Sequence, residues 1–229
     1  MSDQRLGVYL LPAGPLAAAV AAVHRRLARE HGLRAAGRFM PHVTLKGFFR
    51  TEAEPAELEA RLRSALDGRP AVMLHNAGAV PLGREAIALD VDRDPAGGRN
   101  EALHALHATV LEAVRPCVAP DCEFTAVEPA FRAHLTLAMA DLPSDHCDEL
   151  LALTSRAPLG PASSLATEVG LFAFESADWA GSWWETLTWR PLAASPLYAA
   201  SPSTRTSTRP GHGASIPPIG SASVSDGTS

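Results

Sequence analysis

A heptapeptide occurs twice in this chain: Phe39-Met40-Pro41-His42-Val43-Thr44-Leu45 and Phe131-Arg132-Ala133-His134-Leu135-Thr136-Leu137, both reading Phe-x-x-His-apolar-Thr-Leu. A fold that uses the same strand twice must place two similar units side by side, and the surrounding pattern repeats in the same order. Apolar alternation predicts a strand over 6–11, and Leu16, Val20, Val23 and Leu27 at helical spacing predict a helix ending near Gly32. A strand over 41–49 and a helix over 55–67 follow, with Thr51 and Glu54 spaced as a capping box. Strands are expected over 71–80 and 85–92, then a turn at Asp94-Pro95-Ala96-Gly97-Gly98. The second half runs helix 100–114, strand 132–139, helix 144–156 and strands 165–174 and 184–189. The expected class is α+β: two pseudo-symmetric lobes, each a mainly antiparallel sheet with helices on its outer face, flanking a central cleft. Residues 1–200 then form one bilobal domain with a lobe boundary near 93–99.

Composition sets the remaining bounds. With 229 residues, 46% of them hydrophobic, the chain can bury a sizeable core. From Ser201 to Ser229, twenty of twenty-nine residues are Ser, Thr, Gly or Pro, so 201–229 reads as a disordered tail, with His212 inside it. A net charge of −5 argues against stable duplex DNA binding. The start of the chain lacks a basic region followed by an apolar one, and no apolar run approaches a bilayer's width. A cytoplasmic monomer that does not engage a membrane is expected. Cys117, Cys122 and Cys147 lack pairing or zinc-ribbon spacing, so they read as idle thiols.

On an extended strand, side chains two apart share a face. His42 and Thr44 therefore point one way while Val43 and Leu45 enter a core, and His134 and Thr136 behave likewise against Leu135 and Leu137. A lone His-x-Thr is weak evidence, because nine His and thirteen Thr give one by chance roughly half the time. Two copies that also share the following Leu are expected by chance only about a few times in a thousand. Ordinary strand histidines beside threonines are the bland alternative, and the duplication weighs against it.

These two motifs make the chain resemble the two-histidine (2H) phosphoesterase superfamily, especially its 2′-5′ RNA ligase-like and 2′,3′-cyclic phosphodiesterase members. The resemblance covers roughly residues 5–192, and His134 follows His42 by 92 residues, a separation suited to the family's two lobes. It implies an open cleft, chemistry without metal or other cofactor, and one motif from each lobe. Many RNA ligase-like relatives carry an arginine shortly after the second motif, where this chain reads Leu137-Ala138-Met139-Ala140.

The residue chemistry agrees. Opening a cyclic phosphodiester needs a base to activate water and an acid to protonate the departing ribose oxygen on the opposite side of phosphorus, and two histidines supply that pair. His134 is read as base and His42 as acid, with Thr44 and Thr136 donating to nonbridging oxygens. Lys46, Arg132 and Arg50 are basic and near the motifs; Arg132 shares parity with His134 and Lys46 with His42, so these two are candidate phosphate contacts, with solvated edge charges as the bland alternative. Tyr9, Phe48, Phe49, Trp179, Trp183 and Trp184 read first as core and second as base-stacking groups, Tyr9 being retained as a substrate contact. His104 and His107, three apart on a helix, read as its polar flank, and His24, His31, His75 and His146 as surface or helix-end residues.

The expected activity is metal-independent hydrolysis of a 2′,3′-cyclic phosphate on an RNA end or small cyclic nucleotide. ATP-independent 2′-5′ RNA ligation reuses the same groups in reverse. A noncatalytic RNA-end or nucleotide-binding module is the alternative from another class.

Overall fold

Leu6, Val8 and Leu10 alternate with Gly7 and Tyr9 along β1 (Arg5–Leu11), and both sets are covered. In the computed structural model, which describes residues 4–119 and 131–198, this strand sits inside a seven-stranded sheet. The segment 201–229, His212 and Cys122 lie outside the described residues.

Helix α1 (Gly14–His31) turns Leu16, Val20, Val23 and Leu27 inward and ends at Gly32, whose φ of 75° is the left-handed conformation that a side chain disfavours. β2 (Val43–Phe49) and α2 (Pro55–Leu66) follow. The expected 71–80 strand is two, β3 (Val72–His75) and β4 (Ala79–Leu82), interrupted at Gly78. After β5 (Ala86–Asp90), Asn100 caps α3 (Glu101–Val114) by accepting the Leu103 N–H at 3.3 Å. The chain continues through β6 (His134–Met139), α4 (Cys147–Ser155), β7 (Ser163–Ala166), β8 (Glu168–Glu175) and β9 (Thr188–Pro196).

The strand order is β4-β5-β6-β2-β1-β8-β9, every pairing antiparallel, and β3 pairs with β7 in a separate two-stranded sheet. The fold is thus α+β with a large antiparallel sheet. Its pairing does not divide at 93–99, because β5 from the first half pairs with β6 and β8 from the second half pairs with β1. The 93–99 segment is a tight turn, bridged Arg93 to Arg99, that delivers the chain to α3.

Other local expectations change as well: the expected 165–174 strand is two, β7 in the small sheet and β8 in the large one. Thr51 Oγ1 accepts the Ala53 N–H and Glu54 occupies the N-cap without a side-chain cap, so no capping box forms. The last strand lies later than 184–189, because Ser176 and Thr186 hydrogen-bond to each other and hold 177–186 as a loop. Pro191 and Pro196 fit in β9 because it is an edge strand.

The main sheet separates two apolar populations. Val8, Leu10, Val43, Leu45, Leu135 and Leu171 join the helices in an aliphatic core. Tyr9, Phe39, Phe172 and Phe174 form a second, aromatic cluster with Phe48, Trp179 and Trp183 packed against it. Alternation along β1 and β8 thus gives the sheet an aliphatic face and an aromatic one.

Candidate active site

Each motif begins with a histidine anchored to its own backbone. His42 Nδ1 donates to the Met40 carbonyl at 2.7 Å, and His134 Nδ1 donates to the Arg132 carbonyl at 2.7 Å. A carbonyl can only accept, so both rings carry their proton on Nδ1 when neutral and keep Nε2 for other partners. The strands that carry them are neighbours, joined through Val43 and Leu135, which are fully buried as are Leu45 and Leu137. Packing of these four side chains leaves His42, Thr44, His134 and Thr136 lining one cleft of about 790 Å³.

The same cleft is lined by Tyr9, Lys46 and Arg132. The Tyr9 ring meets the His42 ring edge-on at 4.4 Å between centroids, and Phe39 lies 5.7 Å from it. Gly7 makes the Tyr9 position feasible, because a Cβ there would stand 2.6 Å from Tyr9 Cε2. Lys46 is buried, whereas Arg132 is exposed and reaches Asp90 Oδ2 at 3.3 Å. Arg50, exposed at the end of β2, does not line the cleft.

Of the aromatics, Phe48, Trp179 and Trp183 line the cleft, whereas Phe49 is core and Trp184 is outside the lining. The Arg5 guanidinium lies 4.2 Å over the Trp179 ring, and its buried Nε has no hydrogen-bond partner. Elsewhere in the cleft His107, a buried residue rather than a polar flank, stacks on Phe131 at 3.7 Å. His104 Nε2 bonds Asp92 Oδ1 at 2.6 Å. Among the described residues no group of three or more His, Cys, Asp or Glu side chains is placed to hold a metal ion.

The two imidazoles differ electrostatically. Burial is the main force on His42, and the nearby charges of His134 and His24 add to it, holding its pKa down at about 4 although the Met40 carbonyl favours the proton. Burial and the Arg132 charge also depress His134, but Asp90 and Asp92 pull it back toward protonation. Burial drives the Tyr9 hydroxyl far above its ordinary range, so it stays a neutral donor.

Three residues at or beside this site were hidden from sequence reasoning. His24 is buried, not superficial, and its Nε2 donates to the Thr136 carbonyl at 2.9 Å. Asp90 lies opposite His134 in the β5–β6 register. Arg5 reaches the cleft from the first position of β1. Only Asp90-x-Asp92, two carboxylates on one side of a strand end, carried a readable signal; the others depend on pairings between distant segments.

The model of the 2′-5′ RNA ligase superfamily matches residues 13–178. E. coli LigT complexed with NADP+ is 24% identical with a TM-score of 0.50, over 86% of this chain and 99% of that one. LigT complexed with 3′-AMP is 21% identical with a TM-score of 0.50, over 85% and 98%. TT0787 of Thermus thermophilus is 17% identical with a TM-score of 0.55, over 86% and 100%. No curated protein matches the chain.

Proposed function

The chain belongs to the 2′-5′ RNA ligase superfamily, and we propose that it hydrolyses a 2′,3′-cyclic phosphate on an RNA end or small nucleotide by two-histidine acid/base catalysis. The observation that carries this reading is the matched pair of rings, His42 and His134, each tied through Nδ1 to a carbonyl two residues back at 2.7 Å and both lining one cleft. The solved complexes of E. coli LigT with 3′-AMP and with NADP+ support a nucleotide ligand.

The different surroundings of the rings support one division of the roles. His42, held neutral by burial, takes the proton of the attacking water. His134, whose pKa burial lowers and Asp90 and Asp92 partly restore, delivers a proton to the departing ribose oxygen. This reading takes the roles in the opposite order to the sequence reading, which had His134 as base and His42 as acid. The new P–O bond forms to water as one ribose P–O bond breaks, leaving a nucleoside monophosphate. Thr44 and Thr136 donate to the nonbridging oxygens where charge grows, and Lys46 and Arg132 supply positive charge beside them.

The test is turnover of a 2′,3′-cyclic nucleotide with excess chelator by wild type, His42→Ala and His134→Ala. Turnover should persist with chelator and fall by about 10²- to 10⁴-fold in each variant. Binding without turnover by the wild type would replace this reading with the binding-module alternative.

A further inference from the structure

The carbonyl that holds His134 shares a peptide unit with an N–H that is itself held. Arg132 supplies the oxygen that accepts from His134 Nδ1 at 2.7 Å, and the Ala133 N–H of the same peptide donates to Asp92 Oδ1 at 3.1 Å. His104 Nε2, from α3, donates to that Asp92 oxygen at 2.6 Å, and imidazole and carboxylate are both mostly covered, at 17% and 16% exposure. His104, Asp92, the Arg132–Ala133 peptide and His134 therefore form one line of hydrogen bonds. The aim of His104 is built into the start of its helix. The Asn100 N–H donates to the Asp92 carbonyl at 2.7 Å, and His104 lies one turn beyond Asn100, the residue that caps α3. His104 also meets the Phe131 ring edge-on at 4.9 Å while His107 stacks on it at 3.7 Å, so α3 grips the first residue of the second motif.

The first motif cannot be held this way. The carbonyl that accepts from His42 belongs to the Met40–Pro41 peptide, and a proline nitrogen has no hydrogen to donate. A carboxylate that accepts a peptide N–H pushes electron density onto the carbonyl oxygen of that peptide and makes it a stronger acceptor. A stronger acceptor on Nδ1 fixes the proton there and leaves Nε2 as the nitrogen that gains and gives a proton. We infer that His104 and Asp92 are positioning residues for His134, acting through the Arg132–Ala133 peptide to set its tautomer and orientation. The inference deepens the two-histidine reading and rests on it for the effect on turnover.

The test compares wild type, His104→Ala, His104→Gln and Asp92→Asn in the full chain. Long-range proton–nitrogen correlation spectra of the imidazoles, recorded above about pH 7 where His134 is neutral, read the tautomer without turnover. Spectra of His42→Ala and His134→Ala identify the two rings. In wild type both should carry the proton on Nδ1. His104→Ala should move His134 toward a mixture with the Nε2 form while His42 stays unchanged. Asp92→Asn, which keeps an acceptor but no charge, should shift His134 the same way by less. His104→Gln, whose amide still donates to Asp92, should restore the Nδ1 form. On a 2′,3′-cyclic mononucleotide, kcat should fall about tenfold in His104→Ala with KM within about twofold, and His104→Gln should recover most of the loss. An unmoved His134 tautomer in both His104→Ala and Asp92→Asn overturns the inference, as does an equal disturbance of His42, the mark of a general loosening of the fold. If His104→Ala fails to fold, Asp92→Asn decides. A wild type that turns over no cyclic nucleotide defeats the catalytic reading, and the spectra still decide the positioning.

Discussion

His24 and Thr136 are 112 residues apart, and the Nε2 of the first donates to the backbone carbonyl of the second at 2.9 Å. This bond fastens helix α1 to the strand that presents the second motif. His24→Ala strands the partly buried carbonyl and should cost about 1–3 kcal/mol of stability. Denaturant unfolding measures that loss, and kcat on a cyclic nucleotide should fall more than KM changes. His24→Gln, which can restore a donor, should recover part of both. An Ala variant as stable and active as wild type would show that the bond positions nothing.

The pH profile of kcat/KM reports the free enzyme. In the proposed reaction His42 must be neutral to act as base, so the acid limb should rise through about 4. His134 must be protonated to act as acid, and its pKa lies below the ordinary 6.5, so activity should decline again before neutrality. The expected kcat/KM optimum therefore falls on the acid side of neutral. In kcat the bound phosphate anion favours both protonated rings and moves both limbs upward. A kcat/KM optimum above pH 8 would refute the assignment.

Asp90 raises the proton affinity of His134 and also holds Arg132 and the Asp92 N–H. Asp90→Asn keeps a carbonyl acceptor and removes the charge. His134 then binds its proton less tightly, so the alkaline limb of kcat/KM should move to lower pH while the acid limb stays. Stopped assays across pH 4–8 read this directly, and an unmoved alkaline limb would free His134 of Asp90's influence.

Gly7→Ala puts a Cβ where the Tyr9 ring lies, 2.6 Å from Cε2. The ring must leave its edge-on contact with His42 or the strand must shift, at a cost of about 1–3 kcal/mol. Both Tm and kcat should fall. Gly14→Ala, where nothing lies within 4 Å of the added carbon, serves as the harmless comparison.

Much of this is legible in the chain before any coordinates. The Phe-x-x-His-apolar-Thr-Leu repeat locates both strands and the face each histidine shares with its threonine, because period-2 alternation is a local property. The α1 and α3 helices are legible to within two residues for the same reason, from Leu16 through Leu27 and from Leu103 through Val114. What escapes depends on partners far away. No local pattern tells that β5 lies beside β6, and so that Asp90 faces His134. His24 reads as one more polar residue on an Ala-rich helix until that helix is laid against β6. The position of β9 escapes because its two prolines look like strand breakers, and only an edge position makes them acceptable.

The interleaving of strands across the midpoint means that neither half of the polypeptide is a self-sufficient machine. A cut at the exposed Gly97-Gly98 turn would separate β5 from its partner β6 and β1 from its partner β8. The two pieces would each carry one motif histidine, His42 or His134, and an unfinished sheet. Catalysis would return only as they reassembled, which makes this molecule a natural split reporter of its own association.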